Sequence, residues 1–129
     1  MADLDFDKLA KAEPRLLESQ NIWLATVRAD GRPHLIPIWF VWHDGKIWMG
    51  MGRGTQKHCN LQKNDQVALS LEEGLHPVIL EGTAVEADDP ANRDAMAPLF
   101  KKKYDWDFRT DDEADWLLIA VTPHKILSW

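Results

Sequence analysis

An Asp-Gly pair at positions 44–45 lies between two apolar segments of this chain. Both positions of a tight hairpin turn need positive φ, and Asp-Gly is one of the strongest signals for it. We therefore predict that residues 33–43 and 46–51 are paired antiparallel strands. The first of these has two apolar faces, one with Ile36, Ile38, Phe40 and Trp42 and the other with Leu35, Pro37, Trp39 and Val41. One face can cover a core, so the second is expected to meet a ligand or a second subunit.

A glycine-rich turn with basic residues follows the hairpin, in the sequence Gly52-Arg-Gly-Thr-Gln-Lys57. Thr55 is a plausible N-cap for a helix that runs to about Asn64. The free N–H groups of a helix start, together with Arg53, Thr55 and Lys57, suit a phosphate group. The spacing fits neither the Walker loop nor the Rossmann glycine pattern. An ordinary capped turn with solvated basic side chains is the alternative interpretation.

The remaining segments predict strands joined by hairpin-like links, with short helices at the corners. Strands are expected over residues 22–28, 66–71, 76–87 with a bulge at Gly82, and 116–121 with an extension over 125–129. Helices are expected over residues 4–20, interrupted at Pro14, and from Pro90 toward Tyr104 after an Asp89 N-cap. About six strands in this arrangement predict a mainly β fold with short helices, an antiparallel barrel. No repeat or linker divides residues 1–129, which we predict to form one domain.

Composition excludes several classes of function. A net charge of −6 with no long basic run argues against general nucleic-acid binding or attachment to a membrane surface. No apolar stretch is long enough to span a bilayer, and the N-terminus lacks the pattern of a signal peptide. The single Cys59 cannot form an internal disulfide, so a reducing cytoplasm is the expected location. The five histidines show no metal-ligand spacing, and no metal site is predicted.

The positions of the large side chains and of Cys59 within these elements predict which of them are buried. The expected core residues are Leu16, Leu17, Cys59, Trp23, Trp48 and Trp116. The candidates for a pocket or a dimer seam are Trp39, Trp42 and Trp129. The acidic segment 104–115 is expected to be a solvated surface, with a lid over the site as the alternative.

Four segments carry a family resemblance through their order and spacing. They are Trp-Leu-Ala-Thr-Val-Arg-Ala-Asp-Gly-Arg-Pro-His at 23–34, Pro-Ile-Trp-Phe-Val-Trp at 37–42, Gly-Thr-Gln-Lys-His-Cys-Asn-Leu at 54–61 and Asp-Gln-Val-Ala-Leu-Ser at 65–70. Together they resemble the pyridoxamine 5'-phosphate oxidase-like split-barrel family. Within that family the chain looks most like the small flavin- or deazaflavin-dependent oxidoreductases.

The resemblance implies a six-stranded antiparallel split β-barrel that forms a homodimer, with cofactor sites at the interface. It implies that Pro37, Ile38 and Trp39 run alongside the isoalloxazine ring. It also implies that Thr55 and Lys57, together with Arg53, hold the phosphate. Asn60 would support this turn, and Trp129 would lie near the cofactor of the partner subunit.

The implied activity is hydride transfer between a small-molecule substrate and FMN, with 8-hydroxy-5-deazaflavin as the alternative cofactor. Such a reaction needs no acid–base dyad, so no catalytic side chain is predicted. The chain departs from the true pyridoxamine phosphate oxidases at Ile36 and Pro37, where basic residues are expected, and at its end, which lacks their Arg-Leu-x-Pro segment. Vitamin B6 oxidation is therefore not expected. A non-catalytic flavin carrier and a structural barrel with an empty site are the other hypotheses.

Overall fold

A computed structural model describes residues 4–129 of the protein as three helices and seven strands. The helices are α1 (Phe6–Glu18), α2 (Gln56–Lys63) and α3 (Pro90–Tyr104). The strands are β1 (Ile22–Val27), β2 (Pro33–Ile38), β3 (Val41–His43), β4 (Lys46–Gly52), β5 (Gln66–Ser70), β6 (Val78–Glu86) and β7 (Trp116–Ser128). No helix in this described part of the chain is long and apolar enough to cross a membrane.

All seven strands form one antiparallel sheet in the order β2-β1-β5-β6-β7-β4-β3. The two edge strands, β2 and β3, are consecutive in the chain and are joined only by Trp39 and Phe40. Because so short a linker joins them, the sheet must curl until its two edges meet. The predicted antiparallel split barrel is confirmed.

The strand count is seven rather than six because the predicted strand 33–43 is broken at Trp39 and Phe40. At this point the backbone groups of Phe40 form hydrogen bonds with side chains of helix α3. The N–H of Phe40 donates to the Tyr104 hydroxyl at 2.9 Å, and its carbonyl accepts from Lys103 at 2.9 Å and lies at the same distance from the Tyr104 hydroxyl. Pro37 has no N–H to offer a ladder in this region. The break is thus fixed by long-range bonds that local sequence patterns do not encode.

Two predicted backbone features are confirmed. Asp44 and Gly45 adopt φ values of 54° and 71°, as a tight hairpin turn between β3 and β4 requires. The pairing of β6 with β7 shifts register between Glu81 and Gly82. A Cβ on Gly82 would lie 2.5 Å from the backbone oxygen of Thr122, so the bulge brings the two backbones too close for any side chain.

Helix α1 runs without interruption through Pro14, contrary to the predicted break. Pro14 lies on the exposed side of the helix, where water can replace the hydrogen bond that it removes. Leu16 is buried, whereas Leu17 is 55% exposed, because consecutive helical positions point in different directions. The predicted start of α3 is confirmed, since Asp89 caps the N–H of Asn92 and Pro90 follows it.

Two hydrophobic clusters lie on opposite faces of the same strands. The barrel core contains Leu16, Ile22, Leu24, Phe40, Ile47, Met49, Met51, Leu69, Leu80, Ile119 and Val121 among its buried members. The aromatic cluster lies outside the barrel under α3 and contains Val41, Trp48, Met96, Phe100, Phe108 and Leu118, with Tyr104, Trp106 and Trp116 partly buried against it. Strand β7 is one unbroken element of 13 residues, longer than predicted, and contributes alternate residues to each cluster.

Candidate functional site

A cleft of about 510 Å³ opens on the outside of the barrel, beside the aromatic cluster. Small-molecule sites in proteins occupy about 300 to 1,000 Å³, so the cleft is large enough for a cofactor-sized ligand. Its lining residues are Asn21, Ile36, Pro37, Ile38, Trp39, Gly50, Lys57, Trp106, Asp111 and Trp116. They come from the link between α1 and β1, from β2 and the linker after it, from β4, from the start of α2, from the segment between α3 and β7, and from the start of β7.

Trp39 forms one wall of the cleft and is 46% exposed. Its ring stacks on that of Tyr104 with a centroid distance of 4.5 Å and an interplanar angle of 7°. The single proton of the Tyr104 hydroxyl has two carbonyl acceptors within reach, that of Gln20 at 2.7 Å and that of Phe40 at 2.9 Å. Burial raises the pKa of Tyr104 to about 12, so the phenol stays protonated at neutral pH. Helix α3 therefore holds Trp39 from behind although Trp39 lies in a linker.

The part of the cleft next to Trp39 depends on the absence of a side chain at Gly50, because Trp106, whose ring centroid is 6.0 Å from that of Trp39, packs there. Gly50 lies on the outer face of β4, and a Cβ there would be 3.0 Å from Cη2 of Trp106. The Trp106 ring meets that of Trp116 edge-on, with centroids 5.1 Å apart. Gly50 thus allows two indole rings to pack close to the sheet and line the cleft.

Lys57 brings a positive charge into this largely apolar cleft. It is half-buried in the first turn of α2 and makes no ion pair with a carboxylate in residues 4–129. Burial lowers the pKa of Lys57 below the ordinary value for lysine. Thr55 occupies the predicted N-cap position, but its hydroxyl donates to the Gly52 carbonyl at 2.8 Å and does not cap the helix. The first-turn N–H groups of α2 are therefore not bonded by that side chain.

His58 supports the turn before α2 and is 3% exposed. Its Nδ1 accepts a hydrogen bond of 3.0 Å from the N–H of Gly54, which assigns the ring proton to Nε2. Nε2 then donates to Glu86 Oε1 at 2.8 Å. This chain of bonds ties the glycine-rich turn to strand β6. Sequence analysis assigned no role to His58.

Asp111 is held at the edge of the cleft by two N–H donors. Its Oδ1 accepts from the backbone N–H of Glu113 at 2.9 Å, and its Oδ2 accepts from Nε1 of Trp106 at 2.7 Å. These two bonds, that of Glu113 foremost, lower the pKa of the Asp111 carboxyl. The Trp116 indole N–H also approaches this carboxylate, but it falls short of hydrogen-bond geometry, and its Nε1 is buried without a partner.

The structure brings four of the predicted site residues, Pro37, Ile38, Trp39 and Lys57, to the cleft. The other four do not line it. Arg53 is exposed and pairs with Asp115 at 2.7 Å, and the Thr55 hydroxyl is bonded to Gly52.

Asn60 is buried and donates to Thr26 Oγ1 at 2.9 Å, which ties α2 to β1. Trp129 is 74% exposed and lies in a separate groove beside α1. Both placements leave the roles of these residues in cofactor binding as predictions.

Sequence analysis missed the contribution of the segment between α3 and β7. We expected a solvated surface there, but Trp106 lines the cleft and Phe108 is 3% exposed. Two large aromatic residues within an acidic stretch were the available signal that part of it is buried. Cys59 was expected to be buried and is exposed, while Trp42 is buried in the barrel core and not at a pocket. Among residues 4–129 no group of three potential ligands is placed to hold a metal ion.

Comparisons with known proteins agree with this architecture. The chain is similar to the structure of an F420 reductase, with 28% identity, a TM-score of 0.71, and coverage of 88% of this chain and 94% of that one. It is similar in fold to the conserved hypothetical protein Rv2991 of Mycobacterium tuberculosis, with 23% identity, a TM-score of 0.79, and coverage of 100% and 88%. It is also similar in fold to HutZ, a heme storage protein of Vibrio cholerae, with 19% identity, a TM-score of 0.75, and coverage of 92% of each chain.

No curated protein matches the sequence significantly. The family model described as pyridoxamine 5'-phosphate oxidase matches residues 9–129, which is nearly the whole chain. The antiparallel split barrel, the cleft on its outer face and this match lead to one assignment. The chain belongs to the pyridoxamine 5'-phosphate oxidase-like split-barrel family.

Proposed function

We propose that the protein is an oxidoreductase that binds FMN in the cleft and transfers hydride to or from a small-molecule substrate. The observation that carries the proposal is Lys57, a half-buried cation without an acidic partner in the described chain, at the wall of a cleft built mainly from aromatic and aliphatic side chains. An unpaired buried cation is costly unless an anion joins it. A ligand with a flat apolar ring and a phosphate satisfies both parts of this site.

The lining residues fit such a cofactor. Pro37, Ile38 and Trp39 offer a continuous apolar edge for the ring, and Lys57 with the first-turn N–H groups of α2 would receive the phosphate. When bound, FMN would supply the hydride chemistry at its ring. The protein would position the ring along Pro37, Ile38 and Trp39, and the neighbouring Trp106 would help to exclude water from it.

Arg53 and Thr55 would join the phosphate site only after changing partners. The Arg53–Asp115 pair is exposed, and such pairs contribute little to stability, so exchange of the carboxylate for a phosphate is inexpensive. The Thr55 hydroxyl would turn from the Gly52 carbonyl toward the phosphate. Asn60 would act indirectly, by holding α2 against Thr26.

We further propose that two copies of the chain pair through the outer face of β1 and β2. Trp23 lies opposite Pro37 in this ladder, and Leu35 lies nearby, opposite Ala25. Leu35 is 61% exposed and Trp23 36%, so the face offers a continuous apolar surface next to the cleft. In such a homodimer the exposed Trp129 of one subunit would be available to the partner's cofactor.

A deazaflavin is the second candidate cofactor, favoured by the similarity to a protein described as an F420 reductase. Its longer acidic tail would draw on further basic side chains. Arg28 donates to the Pro33 carbonyl at 2.6 Å, and Arg32 pairs with Asp30 at 2.8 Å, so both are engaged within their own turn. Both would have to exchange these partners to reach such a tail, as Arg53 would to reach a phosphate.

The test is titration of cofactor-free protein with FMN and with 8-hydroxy-5-deazaflavin, followed by cofactor fluorescence and tryptophan quenching. Lys57→Ala is expected to weaken FMN binding about 10- to 100-fold, because a charge-assisted bond to phosphate is lost. Lys63→Ala, at the exposed end of the same helix, is the matched control and should bind like the wild type.

Equal affinity of the two variants, or failure of both cofactors to bind at micromolar concentration, would overturn the proposal. Turnover of the loaded protein with a reduced nicotinamide then separates an enzyme from a carrier. Tight binding without any turnover would favour the non-catalytic flavin carrier.

A further inference from the structure

Asp111 is the only acidic residue among those that line the cleft in the described chain. Each of its oxygens accepts one hydrogen bond, from Glu113 and from Trp106. A carboxylate oxygen can accept a second, so both retain free acceptor capacity. The carboxylate pairs with no Lys or Arg in residues 4–129. The cleft therefore presents an ionised acceptor whose position is fixed and which has no Lys or Arg of the described chain within ion-pair distance.

An unused donor lies beside this acceptor. Trp116 lines the same cleft, and its Nε1, which approaches the Asp111 carboxylate without reaching hydrogen-bond geometry, is buried without a hydrogen-bond partner. A buried polar atom that bonds to nothing carries a free-energy cost, and in a binding site it marks a place for a ligand acceptor. Asp111 and Trp116 together thus form an acceptor and a donor next to each other, in an otherwise apolar part of the cleft.

This pair is complementary to an imide edge, in which a ring N–H lies between two carbonyl oxygens. Resting on the cofactor site proposed above, we propose that Asp111 accepts from the imide N–H of the bound ring while the Trp116 N–H donates to an adjoining carbonyl. FMN and the deazaflavin share this pyrimidinedione edge, so the inference holds for either cofactor. Asp111 is then the residue that makes the cleft selective for a ring with a free imide N–H.

The probe is FMN methylated at ring nitrogen N3, which keeps the phosphate, the ring and both carbonyls but lacks the imide hydrogen. Wild-type protein is expected to bind FMN about 10- to 100-fold more tightly than the methylated analogue, because a hydrogen bond to a charged acceptor is lost. In Asp111→Asn this ratio is expected to fall below about threefold, since the amide bears no charge and must share its one oxygen among several donors. The neighbouring exposed Asp112→Asn is the matched control and should keep the wild-type ratio.

The ratio separates recognition from a merely structural role. If Asp111 served only to fix the turn through Glu113 and Trp106, its loss would weaken both ligands equally and leave the ratio unchanged. Trp116→Phe, which keeps a ring but removes the orphan N–H, should weaken both ligands by a similar factor of about 3 to 10, because both retain their carbonyls.

Each outcome bears on one proposal or on both. Equal wild-type affinity for the two ligands overturns the role of Asp111 and leaves the flavin site standing. A ratio that persists in Asp111→Asn also overturns it, because shape and not charge then excludes the methyl group. If neither FMN nor the deazaflavin binds, both proposals fall.

Discussion

The barrel core and the aromatic cluster are built on the same strands but have different compositions and different degrees of closure. Inside the barrel the buried side chains are mainly aliphatic residues and methionine, with Phe40 and Trp42 as the aromatic members of that cluster. Outside it, Phe100, Phe108 and Trp48 are buried, while rings at the margin stay partly exposed and line the cleft. A closed core favours aliphatic side chains that pack without voids. At the exposed edge of the aromatic cluster, flat rings can pack on the protein with one side and contact a ligand with the other.

Strand β4 shows how one sequence serves both regions. Ile47, Met49 and Met51 point into the barrel core, and the alternate positions Trp48 and Gly50 face outward. A strand with one buried face usually carries polar residues on the other. Here both faces are apolar, so the outer side of the barrel holds a second hydrophobic layer, and the cleft lies where that layer ends. We infer that stability resides mainly in the first region and recognition in the second.

The largest effect that tests this division is expected from Leu24→Ala in the barrel core. Leu24 is 1% exposed, so its truncation should lower the free energy of unfolding by about 3 kcal/mol through lost burial and a residual cavity. Urea denaturation measures the change, and FMN affinity of the folded fraction should stay within about twofold. Leu17→Ala, at an exposed position of α1, is the control. A parallel loss of affinity would show that the two regions are not separable.

The sequence predicted those parts of the fold that depend on neighbours in the chain. The Asp44-Gly45 turn, the bulge at Gly82 and the Asp89-Pro90 helix start are each set by the φ preferences or caps of one or two residues. The antiparallel barrel followed from short links between strands. These features need no knowledge of what lies across the molecule.

The break in the predicted strand 33–43 and the acidic residue of the cleft were missed because both depend on distant partners. The break after β2 arises because Tyr104 and Lys103 bond to Phe40, more than sixty positions away in sequence. For the same reason Lys57 could be predicted from the basic turn before α2, whereas Asp111 could not, since its place at the cleft depends on how the segment after α3 folds back. Local patterns identified the cation of the site and gave no sign of its anion.

An intermediate effect is expected from Tyr104→Phe, because Tyr104 lies where the barrel core and the aromatic cluster meet. The change keeps the ring that stacks on Trp39 but removes the hydroxyl that bonds to Phe40 and Gln20. Because Phe40 is fully buried, its N–H would lose its partner, and we expect a loss of about 1 to 2 kcal/mol in the free energy of unfolding. Tryptophan fluorescence should also report a more mobile Trp39, and FMN binding should weaken more than it does in Leu24→Ala.

The exposed neighbour Lys102→Ala is the control for this variant. If Tyr104→Phe lowered stability but left cofactor affinity and tryptophan emission unchanged, the hydroxyl would serve the barrel closure alone. The aromatic stack would then position Trp39 without it.

The smallest effect is expected from Arg53→Ala, and it sharpens the comparison between a cation inside the cleft and one outside it. The neighbouring Asp115 raises the pKa of Arg53 through their hydrogen bond, but the pair is exposed and water screens it. FMN affinity should therefore fall by less than about threefold, against the 10- to 100-fold expected for Lys57→Ala. Asp115→Ala, which frees Arg53 from its partner, should tighten binding slightly if the guanidinium reaches the phosphate at all. A loss in Arg53→Ala as large as that in Lys57→Ala would mean that Arg53 contributes as much to phosphate binding as Lys57 does, and that the site extends beyond the cleft to the exposed turn.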